Sequence, residues 1–355
     1  DDIALSPDGK QIAYTVKQPN AEINGYITHV YVRDVRSGSV QRITSGMTSA
    51  WSPAWSRDSR QLAFTFTTSE ANWVRIWTVE TGETRSYIVD GAPMNSLDWS
   101  PDGRTLVGSR WTPIRPEEER GSRPGIPAPN IRIVRRLRYK QDGSGWVHDR
   151  YQQIWTLSLE TGDLTQITHS ECDYTSPKWS VKGDRLAFVG TAREQNVPLG
   201  YGQILICDMP GGTPRLLLPG WQGTAVSPAW GDNDRYIAFA GHNLPPPVNR
   251  RNFWQPYIAD VEAGTARKLG EDIDEEVGNY AVADQRKGLA NVTVKWAPGD
   301  THIYYLLTEK GATNLFRSDT SGNYERIVSG NSVTFEYSPA AGGTVAFGQA
   351  DPSNP

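Results

Sequence analysis

The chain has 355 residues, with 36 Lys and Arg against 40 Asp and Glu and a formal net charge of −4. This acidic balance argues against a nucleic-acid partner. Two cysteines in so long a chain argue against a disulfide scaffold and for a reducing, cytoplasmic location. No run of 18 apolar residues and no charged-then-apolar leader occurs, so no membrane contact is expected.

Thirteen Trp, 15 Tyr, 34 Gly and 24 Pro fit many short strands joined by tight turns. In chain order, one hairpin motif recurs. Ala4-Leu5-Ser6-Pro7-Asp8-Gly9 is followed by Ala54-Trp55-Ser56-Arg57-Asp58-Ser59 and Asp98-Trp99-Ser100-Pro101-Asp102-Gly103. Lys178-Trp179-Ser180, Ala229-Trp230-Gly231, Lys295-Trp296-Ala297 and Glu336-Tyr337-Ser338 continue the series. The pivots Leu5, Trp55, Trp99, Trp179, Trp230, Trp296 and Tyr337 are separated by 50, 44, 80, 51, 66 and 41 residues. A period of roughly 40–50 residues carrying one aromatic motif is the signature of a β-propeller.

After each turn come an apolar second strand, an alternating third strand ending in a polar residue and Gly, and a fourth strand. The prediction is an all-β, seven-bladed propeller of four-stranded antiparallel blades in one domain. The blades lie near 1–46, 47–91, 92–170, 171–220, 221–291, 292–330 and 331–355. The seventh is incomplete, stopping after two strands. Its other two strands either come from sequence beyond Pro355 or are lacking, and both chain ends look cut. Exposed strands of this blade could pair with another molecule, so an oligomer is possible. The variable connections, 17–28, 111–152, 191–202, 242–254 and 270–291, all emerge on one face, which is the expected binding face.

The most individual segment runs Arg135-Arg136-Leu137-Arg138-Tyr139-Lys140-Gln141-Asp142-Gly143-Ser144-Gly145-Trp146 and on through His148-Asp149-Arg150-Tyr151. It resembles a signature in the N-terminal propeller of acylaminoacyl-peptidase-like members of the prolyl oligopeptidase family of serine peptidases. The resemblance implies an α/β-hydrolase domain in the same parent chain, carrying Ser, Asp and His. No Gly-x-Ser-x-Gly nucleophile elbow is present in these 355 residues, and none of the five histidines has a nucleophile partner in sequence. The chain is therefore expected to be non-catalytic and to gate the access of short peptides to a hydrolase domain. Arg135, Arg136, Arg138, Tyr139, Trp146, His148 and Arg150 are the candidate residues facing substrate or the hydrolase. Arginine suits paired contacts with carboxylates there.

Other features read as structural. The pivot tryptophans are expected to be core, holding adjacent blades together. Glu117-Glu118-Glu119 and the acidic run from Glu271 to Glu276 lack the offsets of a calcium loop. Cys172 and Cys207 lack the partners for a zinc site, so no metal or cofactor is expected. The alternative reading is a free-standing binding propeller similar to the periplasmic propeller of the Tol system, which shares the short turn motifs.

Overall fold

The structure is a computed structural model, and it describes residues 2–45, 49–113, 140–141, 145–146, 150–190, 202–245, 254–281, 292–299 and 301–351. The architecture grows from the recurrent turn. In blade 3, Ser100 Oγ donates to Asp102 Oδ1 at 2.6 Å, and the same oxygen accepts Arg104 N–H at 3.0 Å. Thr105 N–H in turn donates to Ser100 Oγ at 2.9 Å. Gly103 closes the turn at φ 70°, a conformation that costs glycine nothing. The same network binds Ser6 to Asp8 and Ser56 to Asp58. The Ser-x-Asp spacing is thus a side-chain clamp that fixes the first hairpin of blades 1, 2 and 3.

These contacts hold the Asp102 carboxyl below its ordinary pKa of 3.8, with the Ser100 hydroxyl the main cause. A depressed native pKa contributes stability that is complete above the unfolded value and is lost as pH falls through the native one. Asp102→Asn is expected to leave a flatter acid limb in a plot of stability against pH below about 4. Urea titrations at a series of pH values would check it.

Five blades carry the full four-stranded antiparallel order. Blade 2 is representative, with Ser49–Trp55, Gln61–Thr67, Asn72–Thr78 and Thr84–Val89 paired in sequence. Blade 6 adds Glu276–Val277 to the second strand Ile303–Glu309, on the edge that Val294–Trp296 also uses. Those two residues fall inside the 270–291 connection. Blade 7 contains Val333–Pro339 and Val345–Ala350, joined to blade 6 by one parallel pair, Thr313 with Val333. The first strands of blades 1 to 7 touch in order, and that of blade 7 touches that of blade 1, closing a ring. This is the seven-bladed propeller, with an irregular final sheet.

One connection is shorter than the sequence suggested. Residues 17–28 are mostly strand, with Gln11–Asn20 paired to Gly25–Asp34 along their whole length. Pro19 ordinarily argues against a central strand. Here the first strand ends its pairing well before Pro19, whose ring therefore faces an open edge. Asn20 Oδ1 accepts Glu22 and Ile23 N–H to make the turn.

Six apolar clusters each join two consecutive blades, from blades 1 and 2 through to blades 6 and 7. All pivots but Leu5 sit in or against these clusters, and four of them also bolt the blades by hydrogen bonds. Trp55 Nε1 donates to Ala4 O, Trp99 Nε1 to Ala54 O, and Trp230 Nε1 to Lys178 O, at 2.9–3.1 Å. Tyr337 is fully buried and its hydroxyl bonds Thr293 O and Tyr304 O, both at 2.9 Å. Leu5 has no such donor. Among the described residues no apolar cluster spans blades 7 and 1, which meet through Leu5 N–H on Ser338 Oγ and Ala341 N–H on Pro7 O.

Candidate functional site

The first strands line a central channel, and the pivot sets which residues face it. In blade 3, Leu97 and Trp99 are buried between blades, whereas Ser96 is exposed and Asp98 half-buried. Three positions before each pivot stand Asp2, Ser52, Ser96, Ser176, Ser227, Thr293 and Thr334. All but Thr334 retain exposure. A cavity of about 210 Å³ is lined by Asp2, Ser52, Ser96 and Thr293 together with Lys295 and Glu336. Residues of blades 1, 2, 3, 6 and 7 share one cavity only if it lies on the ring axis.

The backbone explains how these serines reach the lumen. Ser52, Ser96, Ser176 and Ser227 all have φ between 53° and 57°. Each sits where the pairing of the first two strands shifts register. A bulge of this kind leaves one residue out of the ladder and re-aims its side chain. Ser52 N–H donates to Asp2 Oδ2 at 3.1 Å, and Ser227 Oγ accepts Val294 N–H at 3.2 Å.

One residue before the pivots is a second ring: Ala4, Ala54, Asp98, Lys178, Ala229, Lys295 and Glu336. Its charges pair across blades. Lys178 meets Asp98 at 3.1 Å and Lys295 meets Glu336 at 2.8 Å. Asp98 Oδ2 also accepts Trp179 N–H at 2.8 Å. At the short-turn mouth, Arg57 of blade 2 passes blade 3 and donates to Trp179 O and Ser180 O of blade 4, at 3.3 and 3.2 Å. Its side chain lies along the edge of that mouth.

The sequence-derived site is placed only in part. Arg135, Arg136, Arg138, Tyr139 and His148 lie outside the described residues. Trp146 belongs to a two-residue strand, Gly145–Trp146, paired with Lys140–Gln141. Arg150 begins the third strand of blade 3, opposite Pro113, and is exposed. Nothing among the described residues brings these groups together. The channel ring escaped the sequence reading, although its signal was present as Ser-x-x-Trp in four repeats and Thr-x-x-Trp in a fifth.

Two other features carry no chemistry of their own. The acidic run ends in a pocket of about 260 Å³ formed with Tyr280, Thr308 and Lys310, in which burial raises the Glu276 pKa. Burial likewise raises the pKa of Cys207, whose thiol donates to Gly212 O, and of Cys172. A buried, raised thiol is inert rather than nucleophilic. No cluster of three or more metal-ligating side chains occurs among the described residues.

No family model matches the chain. It is 24% identical over 328 residues to the uncharacterised peptidase YuxL of Bacillus subtilis, covering 90% of this chain and 49% of that protein. Its fold superposes on Pyrococcus horikoshii acylaminoacyl peptidase with a TM-score of 0.74 at 17% identity, over 99% of this chain and 48% of that one. It covers 90% of the β-propeller domain of the trilobed protease of Pyrococcus furiosus, with a TM-score of 0.66, 15% identity and all of this chain aligned. The chain has the β-propeller fold that these peptidases carry.

That trilobed-protease domain is described as having an open velcro topology, and the seam between blades 7 and 1 here exchanges no strand among the described residues. TolB of Acinetobacter baumannii shares the fold alone, with a TM-score of 0.54 and 16% identity over 96% of this chain and 66% of that one. The chain spans about half the length of the curated relative and of the acylaminoacyl peptidase that it matches. No helix among its described residues is long and apolar enough to cross a membrane.

Proposed function

We propose that this propeller is the sieving domain of a serine peptidase, seated on an α/β-hydrolase domain of the same parent protein and admitting short, unfolded peptides. One observation carries the reading. First strands run from the variable-loop face to the short turns and second strands run back, so Ile3 enters and Ala350 leaves on the variable-loop face. A domain joined there covers the channel end that the hydroxyl ring surrounds, while the opposite mouth is edged by Arg57. Folded proteins are then excluded by sterics, which discriminates against wrong substrates without requiring affinity for right ones.

Two assays test this. The chain alone should show no turnover of aminoacyl or acyl-aminoacyl chromogenic substrates, and turnover above background would refute a non-catalytic role. The parent peptidase should cleave a flexible tetrapeptide sequence at least about a hundredfold faster than the same sequence inside a folded domain. That ratio corresponds to roughly 2.7 kcal/mol in barrier height. Equal rates would remove the sieve.

A further inference from the structure

We propose that the upper ring of the channel, the residues three positions before the pivots, is a binding site for the amino-terminal end of an extended peptide, the second ring one position before the pivots being the lower one. This deepens the sieving role by assigning the lumen an affinity as well as a width, and it rests on that reading for its biological sense.

The ring has the chemistry of a main-chain receptor. Among the described residues, the hydroxyls of Ser52, Ser96 and Ser176 make no hydrogen bond, whereas that of Ser227 is engaged by Val294 N–H. A hydroxyl both donates and accepts, so a ring of them can satisfy peptide N–H and C=O groups whatever the side chains. The neighbouring walls, Ile3, Pro53 and Leu97, are apolar and suit small side chains.

The backbone supplies a second, independent observation. A left-handed conformation costs an L-residue about 1–2 kcal/mol, yet serine occupies it at four equivalent channel positions. Glycine would relieve that strain but leave no hydroxyl. Sustained strain of this kind collects at functional sites.

Charge then sets the polarity of the ligand. The lower ring is neutralised by Asp98 with Lys178 and by Lys295 with Glu336. Asp2 is left as the carboxylate of the upper ring, and among the described residues it accepts the Ser52 N–H. A peptide ammonium fits it; a peptide carboxylate would be repelled.

The test uses this chain by itself and tetra-alanine, with either a free or an acetylated amino terminus, titrated by heteronuclear NMR. The free peptide should bind and shift resonances of the first strands. Asp2→Asn should weaken the free peptide on the order of tenfold, the worth of one charge-assisted hydrogen bond, and leave the acetylated peptide unchanged. Ser96→Gly, which relaxes the backbone and so preserves the fold, should weaken both. Absence of binding at millimolar peptide, or binding indifferent to both variants, overturns the site. Because no hydrolysis is measured, this result is separable from the peptidase assays. A sieve without affinity would fail here and still pass there.

Discussion

Trp99→Ala is expected to lower the unfolding free energy by about 3–5 kcal/mol, the usual cost of emptying a large buried aromatic site. Trp99 is 2% exposed, packs in the cluster shared by blades 2 and 3, and donates its Nε1 to Ala54 O. Two terms therefore fall together, the cavity and the unmet carbonyl. A second substitution separates them. Trp99→Phe keeps most of the packing and loses the bolt, for about 1–2 kcal/mol. Trp179→Phe should cost less, because Trp179 Nε1 is buried without a partner and no hydrogen bond is lost. Chemical denaturation of the three variants, compared at constant m-value, reads these differences directly. Equal losses for Trp99→Phe and Trp179→Phe would show that the indole nitrogens do not bolt the blades.

Asp234→Ala is expected to cost a similar amount for a different reason. Asp234 is 3% exposed and occupies, at φ 56°, the turn position that glycine takes in blades 1, 3 and 4. Its carboxylate accepts Val181 N–H at 2.5 Å and Lys182 N–H at 2.8 Å from the turn of the preceding blade. Hydrogen bonds to an ionised acceptor are worth about 1.5–3 kcal/mol each, and their loss strands two amides between blades. Alanine also keeps the left-handed strain. Asp234→Gly relieves that strain and should recover about 1 kcal/mol of the loss. The ordering wild type, Asp234→Gly, Asp234→Ala in thermal midpoint is the expected result. Asp234→Gly at or above wild type would mean that the carboxylate does not clamp blade 4 to blade 5.

Much of this molecule was legible before any coordinates because its repeat is local chemistry. Ser-Pro-Asp-Gly encodes a clamped turn within a few residues, and a tryptophan beside it marks a strand that must bury an indole. Short hairpins join the first strand of a blade to the second and the third to the fourth, and the second and third pair antiparallel even across long connections. What could not be read depends on which blade sits beside which. Arg57 finds its carbonyl partners more than a hundred residues away, and Asp234 finds amides some fifty residues back. Neither residue type nor spacing announces such contacts. The channel ring is a different case. Its serines are conspicuous once the pivot is used as a ruler, but serine near a turn reads as turn chemistry, and the left-handed bulge that aims it inward leaves no mark in composition. The candidate residues from Arg135 to Arg150 stand out by their family signature and their density of charge and aromatics, neither of which says where a connection lies.

Leu5 at the first pivot has a mechanical consequence. Among the described residues six junctions carry an apolar cluster, whereas blades 7 and 1 are held by strand contacts and hydrogen bonds, so this seam is the junction expected to part first on heating. A parting of Pro7 from Ala341 would open the bore on one side while each other blade kept its neighbour.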